Sequence, residues 1–397
     1  MAPAFTEAAA ARRGLAGFFL AGMLVSFLGA LLPVWGHHLT DSFELVAYYF
    51  LGLNVGVLAG HRLARPLVER KGLSVALPIA GVLAFLGFAW LSAAPAAGAP
   101  WWRLAGLVEV GLGAGILNTG LFHVITRAYE LAPAATVNLA GTFFGLGCLV
   151  TSVLVAGTYY VYTVGSILFF LALIPAYFSI AYARFRFPSL PFAPQRPFAE
   201  VLADFKKPAA VLFTLLLFFQ FGNEWAIAGW LPLFLVQRLG ISPSTSLWLL
   251  ALYWSALLVG RLAAQAILPR VSHGRFLLAS VLSAWLGCTI LELTNNLSGA
   301  TVGILLTGGG FASVYPLVVE RIGHRFPYYH PGIYNGIFSL GLTGGLLAPA
   351  TLGWFADLWG IGVVMFLPFL GTGIVVALLG ALWVEEKLAS LAALRSG

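Results

Sequence analysis

The chain repeats itself at half its own length. LGLNVGVLAGHRLA at 51–64 is echoed by ALYWSALLVGRLA at 251–263, and GAGILNTGLFHVITR at 113–127 by GGGFASVYPLVVER at 308–321. A third pair, AGTFFGLG at 140–147 and NGIFSLGL at 335–342, keeps nearly the same offset. A half-chain duplication restricts the fold to two like units packed about a pseudo-twofold axis, an organisation typical of membrane carriers.

Composition says where those units lie. The 397 residues are 60% hydrophobic and only 9% charged, with mean hydropathy +0.94, against about 25% charged in soluble domains. Apolar stretches at 14–38, 43–64, 73–94, 102–126, 136–158 and 160–183 each approach the roughly 20 residues that cross a bilayer. Six more follow at 208–236, 245–268, 275–295, 299–322, 332–356 and 360–384. No stretch alternates as barrel strands do. The sequence therefore predicts an all-α membrane protein, a bundle of twelve helices in two pseudo-symmetric six-helix halves.

The domain reading is an N-terminal bundle over 1–183, a linker over 184–207, a C-terminal bundle over 208–384 and a tail over 385–397. The linker, RFRFPSLPFAPQRPFAEVLADFKK, holds four prolines and five basic residues. Of the 21 Lys and Arg, all but Arg103 and Arg238 fall at one set of span ends. The positive-inside rule then puts both termini and the linker in the cytoplasm. The expected location is a bacterial-type inner (cell) membrane, crossed many times. This bias accounts for the net charge of +7, and nothing calls for a nucleic-acid partner. Arg12-Arg13 precedes an apolar run too long for a signal-peptide core, so that run is taken as the first span. Cys148 and Cys288 lie deep in spans and suggest no disulfide framework.

Five motifs narrow the reading. The fourth span holds GAGILNTG (113–120) and the fifth opens NLAGTFFGLG (138–147). The seventh carries GNEWAIAGW (222–230), the eighth Trp254 followed by Gly260-Arg261-Leu262, and the tenth FASVYP (311–316). Their types and order resemble the major facilitator superfamily, and within it the fucose permease-like branch that includes sodium-dependent glucose transporter-like proteins. The resemblance implies a monomeric carrier of a small polar solute, a monosaccharide first, moved by alternating access as symport or uniport. It also has departures. The branch's acid in the fourth span is replaced by Asn118 or, in another alignment, by Ile116, and no carboxylate occurs between Arg13 and Asp41 in the first span. Gly141 and Phe144 replace polar residues of the fifth span, and the second-to-third loop lacks the usual Asp. The branch's proton-coupling carboxylates therefore do not carry over.

Polar groups at mid-membrane depth cost roughly 2.5–3.5 kcal/mol on insertion scales when charged, which singles out a short set. Glu224, with Gln220 at i−4 on the same face and Asn223 adjacent, is the leading substrate ligand and the candidate coupling group for H+ or Na+. Asn118 and Asn54 each offer a donor and an acceptor, as a vicinal diol requires. Trp230, Trp254 and Tyr315 could stack on a sugar ring. Arg261 and its repeat partner Arg62 are gate candidates, with snorkelling to the interface as the plainer alternative. His123 and the adjacent His37-His38 read as structural, and no cofactor or metal site is expected. No H-E-x-x-H, G-x-S-x-G or paired acid–histidine cluster supports an enzyme. An exporter of lipophilic drugs or lipids is the alternative function, suggested by the few charges and the many phenylalanines.

Overall fold

The computed structural model describes residues 2–40, 42–93, 99–188, 197–326, 328 and 336–396. Its helices are α1 (Ala2–Val34), α2 (Glu44–Lys71), α3 (Leu73–Ala93), α4 (Pro100–Val124), α5 (Thr126–Leu131), α6 (Pro133–Thr158) and α7 (Val164–Ala183). There follow α8 (Phe198–Asp204), α9 (Pro208–Leu239), α10 (Pro243–Ile267), α11 (His273–Leu293), α12 (Leu297–Phe311), α13 (Val314–Arg325), α14 (Ile337–Trp359) and α15 (Val363–Ser396). No strand occurs among the described residues. With α5 and α8 as short connectors and α12–α13 as two pieces of one span, twelve spans remain, six in each half. Eleven pass on length and apolarity alone; α2 falls short because its GHRLARPLVERK end is polar.

Several boundaries differ from expectation, each for a local reason. The single predicted span 299–322 breaks at Ala312–Ser313 because Pro316 has no N–H to offer the Ala312 carbonyl one turn earlier. α1 stops at Val34, before Gly36, whose φ of 81° leaves the helical region. α15 stays helical through the expected tail to Ser396. Linker residues 189–196, and residues 332–335 at the start of the eleventh predicted span, lie outside the described residues.

Both chain ends lie at one end of the bundle, called here the terminal end. There the Arg13 guanidinium sits 3.9 Å over the Phe185 ring, Lys207 pairs with Asp204, and Arg325 pairs with Glu385. Large apolar side chains face outward along the helices, as at Leu278, Leu282 and Leu286 on α11 and Leu173, Tyr177 and Ile180 on α7. That is the inverse of a soluble surface and suits contact with lipid tails.

Close helix contacts rest on glycine, since lipid gives no hydrophobic drive and backbones must approach. Gly56 and Gly60 of α2 face Gly111 and Gly115 of α4 so tightly that a Cβ on Gly60 would lie 2.9 Å from the Gly115 Cα. In the second half Gly344 of α14 meets the Phe218 backbone of α9 in the same manner. The two halves touch at the far end, where Gly29 of α1 lies on Ala228 and Gly229 of α9. Phe43 and Phe50 pack around the Trp230 ring, with centroids 5.9 and 6.0 Å away. The Asp357 carboxylate accepts the Phe43 N–H at 2.9 Å, and Gln237 donates to the Thr40 carbonyl at 3.0 Å. At the terminal end α6 contacts α13, and Tyr129 and Val137 of the first half join the buried cluster of the second, while α4 and α13 lack comparable packing among the described residues. The far end is closed.

Candidate functional site

Beneath that seal, between the halves, lies a cavity of about 200 Å³ reaching from mid-bundle toward the terminal end. α1, α2, α4 and α6 form one wall; α9, α10, α13 and α14 form the other. Its aromatic rim includes Phe18, Phe50, Phe122, Phe144, Phe221 and Trp225. Phe144 and Trp225 meet edge to face across the halves with centroids 5.9 Å apart.

The polar lining is short: Asn54, His61, Asn118, Glu224, Arg261 and Tyr315. Glu224 enters from α9, 6% exposed. Its backbone carbonyl accepts the Tyr253 hydroxyl at 3.4 Å, and the residue borders the cavity together with Arg261. Arg261 reaches in from α10. Its Nε donates at 3.4 Å to the Ala312 carbonyl, the group that Pro316 leaves without a helical donor. Its Nη1 donates across the halves to the Gly141 carbonyl. Only glycine permits that approach, since a Cβ at 141 would lie 2.5 Å from Nη1.

On the opposite wall the glycine contact of α2 with α4 brings His61 Nδ1 to 2.7 Å from Thr119 Oγ1. The Thr119 hydroxyl also lies 3.1 Å from the Gly115 carbonyl one turn back on α4. Asn54 donates to the Leu346 carbonyl of α14, a second tie between the halves. Tyr315 leans on Phe221, with centroids 5.0 Å apart.

Thus the structure brings together four of the eight substrate ligands expected from sequence, Glu224, Asn118, Asn54 and Tyr315, with the gate candidate Arg261. The other four lie behind the wall. Asn223 turns away to donate to Thr372 Oγ1 of α15 at 3.3 Å. Gln220 is fully buried behind Glu224. Trp230 belongs to the far-end seal, its Nε1 donating to the Pro349 carbonyl at 2.9 Å. Trp254 is buried against Trp225 and Tyr253. Arg62 is exposed outside the cavity.

Sequence reading missed His61 and Trp225. A signal for His61 was present: counted from the preceding glycine, His61 after Gly60 is the mate of Arg261 after Gly260. Matching the two RLA triplets, at 62–64 and 261–263, pairs Arg62 with Arg261 instead and hides the histidine.

Known proteins match this picture. An uncharacterised MFS-type transporter of Yersinia pestis is 27% identical over 148 residues, 37% of this chain and 38% of that protein. A putative glucose/galactose transporter of Helicobacter pylori is 25% identical over 36% of this chain and 34% of its own length. The matched stretch thus spans little more than a third of these relatives. Among solved structures, the Escherichia coli fucose:proton symporter FucP superposes with TM-score 0.63 at 17% identity, covering 95% of this chain and 99% of the other. The nucleoside transporter NupG gives 0.65 at 14% identity, over 94% and 99%. Both show the fold. The sequence model of the Major Facilitator Superfamily matches residues 134–349, more than half of the chain. With twelve spans in two halves around one central cavity, the chain is a multi-pass membrane transporter of the Major Facilitator Superfamily.

Proposed function

We propose that the protein carries a small hydroxylated solute, a monosaccharide or a near relative, by rocking its two halves about the central cavity. The observation that carries this reading is the convergence of Glu224, Asn118, Asn54 and Tyr315 from four helices on one cavity of about 200 Å³. Carboxylate and amides supply hydroxyl partners, and Trp225 and Phe144 offer ring faces to the C–H side of a sugar. Related proteins described as a glucose/galactose transporter, a sialic acid transporter and a fucose:proton symporter support this cargo class. Glu224 is the coupling group in this reading, for H+ or Na+. The carrier works as a monomer in an inner membrane with its terminal end in the cytoplasm, so the closed far end faces outward.

Counterflow in proteoliposomes tests it, with radiolabelled glucose, galactose, fucose and their uronates, and Glu224→Gln alongside. Saturable exchange of at least one member, lost in the variant, supports the reading. Absence of exchange for every member, from monodisperse and thermally intact protein, overturns it. The aromatic rim favours a second reading, export of lipophilic compounds. In that case transport tolerates both Glu224→Gln and Asn118→Ala.

A further inference from the structure

Within that carrier reading, on which this inference rests, the polar wall asks for more than a neutral sugar. A guanidinium has five N–H donors and no way to shed its charge. Arg261, 6% exposed, spends two of them, on the carbonyls of Ala312 and Gly141. Among the described residues no carboxylate comes within the 4.0 Å of an ion pair with it. Three donors therefore remain on a cation set in an otherwise largely aromatic and aliphatic cavity lining. Burying such a group without acceptors is costly. Hydroxyl oxygens can accept from these donors one at a time, whereas a carboxylate accepts two at once in a charge-assisted pair.

The two carbonyl bonds also fix the fork. Nε is held toward the α12–α13 break and one Nη1 hydrogen toward α6, so the guanidinium plane is set before a ligand arrives. The other Nη1 hydrogen and the Nη2 pair form an edge suited to bidentate recognition of a carboxylate. Glu224 lies on the neighbouring helix α9 and borders the same cavity, where it can accept from sugar hydroxyls.

We propose that the cavity recognises a sugar acid, its carboxylate seated on the Arg261 guanidinium and its hydroxyls on Glu224, Asn118 and Asn54. Arg261 and Glu224 balance each other's charge, so binding an anion brings one proton to the site.

The test is selectivity. Half-saturating concentrations for counterflow are measured for D-glucuronate and D-galacturonate against D-glucose and D-galactose, in the wild type, Arg261→Gln and Arg261→Lys. In the wild type each uronate should half-saturate at least about tenfold below its parent sugar, the low end for a charge-assisted pair. Arg261→Gln should bring the two within about threefold, and Arg261→Lys should fall between. Both variants also disturb the bond to Gly141, but that affects acid and neutral sugar alike and cancels in the ratio. Should the variants fail to fold, the wild-type ratio alone decides. Equal or better handling of the neutral sugars overturns the sugar-acid inference and leaves the carrier reading standing. No exchange of any of the four sinks this inference, and the carrier reading falls with it when fucose fails to exchange as well.

Discussion

The far-end seal includes one tight glycine contact, which makes the alternating-access reading open to a direct trial. Gly29 sits on the backbone of Ala228 and Gly229, and a Cβ there would fall 3.0 Å from the Gly229 Cα. Carbon atoms in contact prefer about 3.5–4.0 Å, so Gly29→Ala must part α1 from α9 by roughly 0.5–1 Å, and Gly29→Val by more. Overpacking of this kind costs about 1–3 kcal/mol. The cost falls only on the far-end-closed state, because the contact is undone when the halves rock the other way. A shift of about 2 kcal/mol changes the closed-to-open ratio roughly thirtyfold. A cysteine at Phe43, 2% exposed beside Trp230, reports the seal through its rate of reaction with a membrane-impermeant maleimide. The native thiols Cys148 and Cys288 are buried. Gly29→Val should speed labelling of Phe43→Cys about tenfold or more and depress counterflow. Gly309→Ala, whose Cβ meets nothing within 4 Å, should do neither. Unchanged labelling in folded Gly29→Val protein would refute the argument that this contact sets the equilibrium.

Three further outcomes follow from the same geometry. Trp230→Phe keeps the ring but loses the 2.9 Å bond to the Pro349 carbonyl, which lies within the second half; at about 1 kcal/mol it should lower the melting temperature and leave Phe43→Cys labelling unchanged. Gly141→Ala pushes the Arg261 guanidinium off the α6 carbonyl, and the fold should survive at a lower melting temperature, the lost bond to a charged donor being worth about 1.5–3 kcal/mol. At the far end, outside the spans, burial, then Arg103 and then His38 pull His37 down from 6.5 to about 4. The unfolded chain then binds more protons between those two values. Stability should be full above pH 6.5 and decline as the pH falls toward 4, and His37→Phe should flatten that part of a melting-temperature profile.

The half-chain repeat carried the architecture because each copied segment is a span whose glycines and prolines do structural work in both halves. Gly60 and Gly260 each pack on the backbone of a neighbouring span, beside Gly115 and Gly309, and a pattern of close contacts survives divergence of everything around it. Depth was legible too, since Glu224, Asn118 and Asn54 are polar where polarity is costly. Facing was not. Asn223 and Glu224 are neighbours in sequence, yet a helix turns about 100° per residue, so one meets Thr372 in α15 and the other the cavity. Which of those two directions is the interior of a half and which is the space between halves is set by how six helices pack, information spread over distant segments.

Arg261 shows what a fuller sequence argument would have needed. Its position after Gly260, the Pro316 that frees the Ala312 carbonyl, and the bare Gly141 are all visible in the sequence. They form one cluster only because α6, α10 and α13 converge. Each departure from the family pattern looked like a loss by itself: a glycine for a polar residue in the fifth span, an asparagine for an acid in the fourth. In the fold the glycine makes room for the cation, and Glu224 on α9 and Asn118 on α4 line the same cavity from opposite halves. Arg261 is the one charged cavity side chain that already bonds to both.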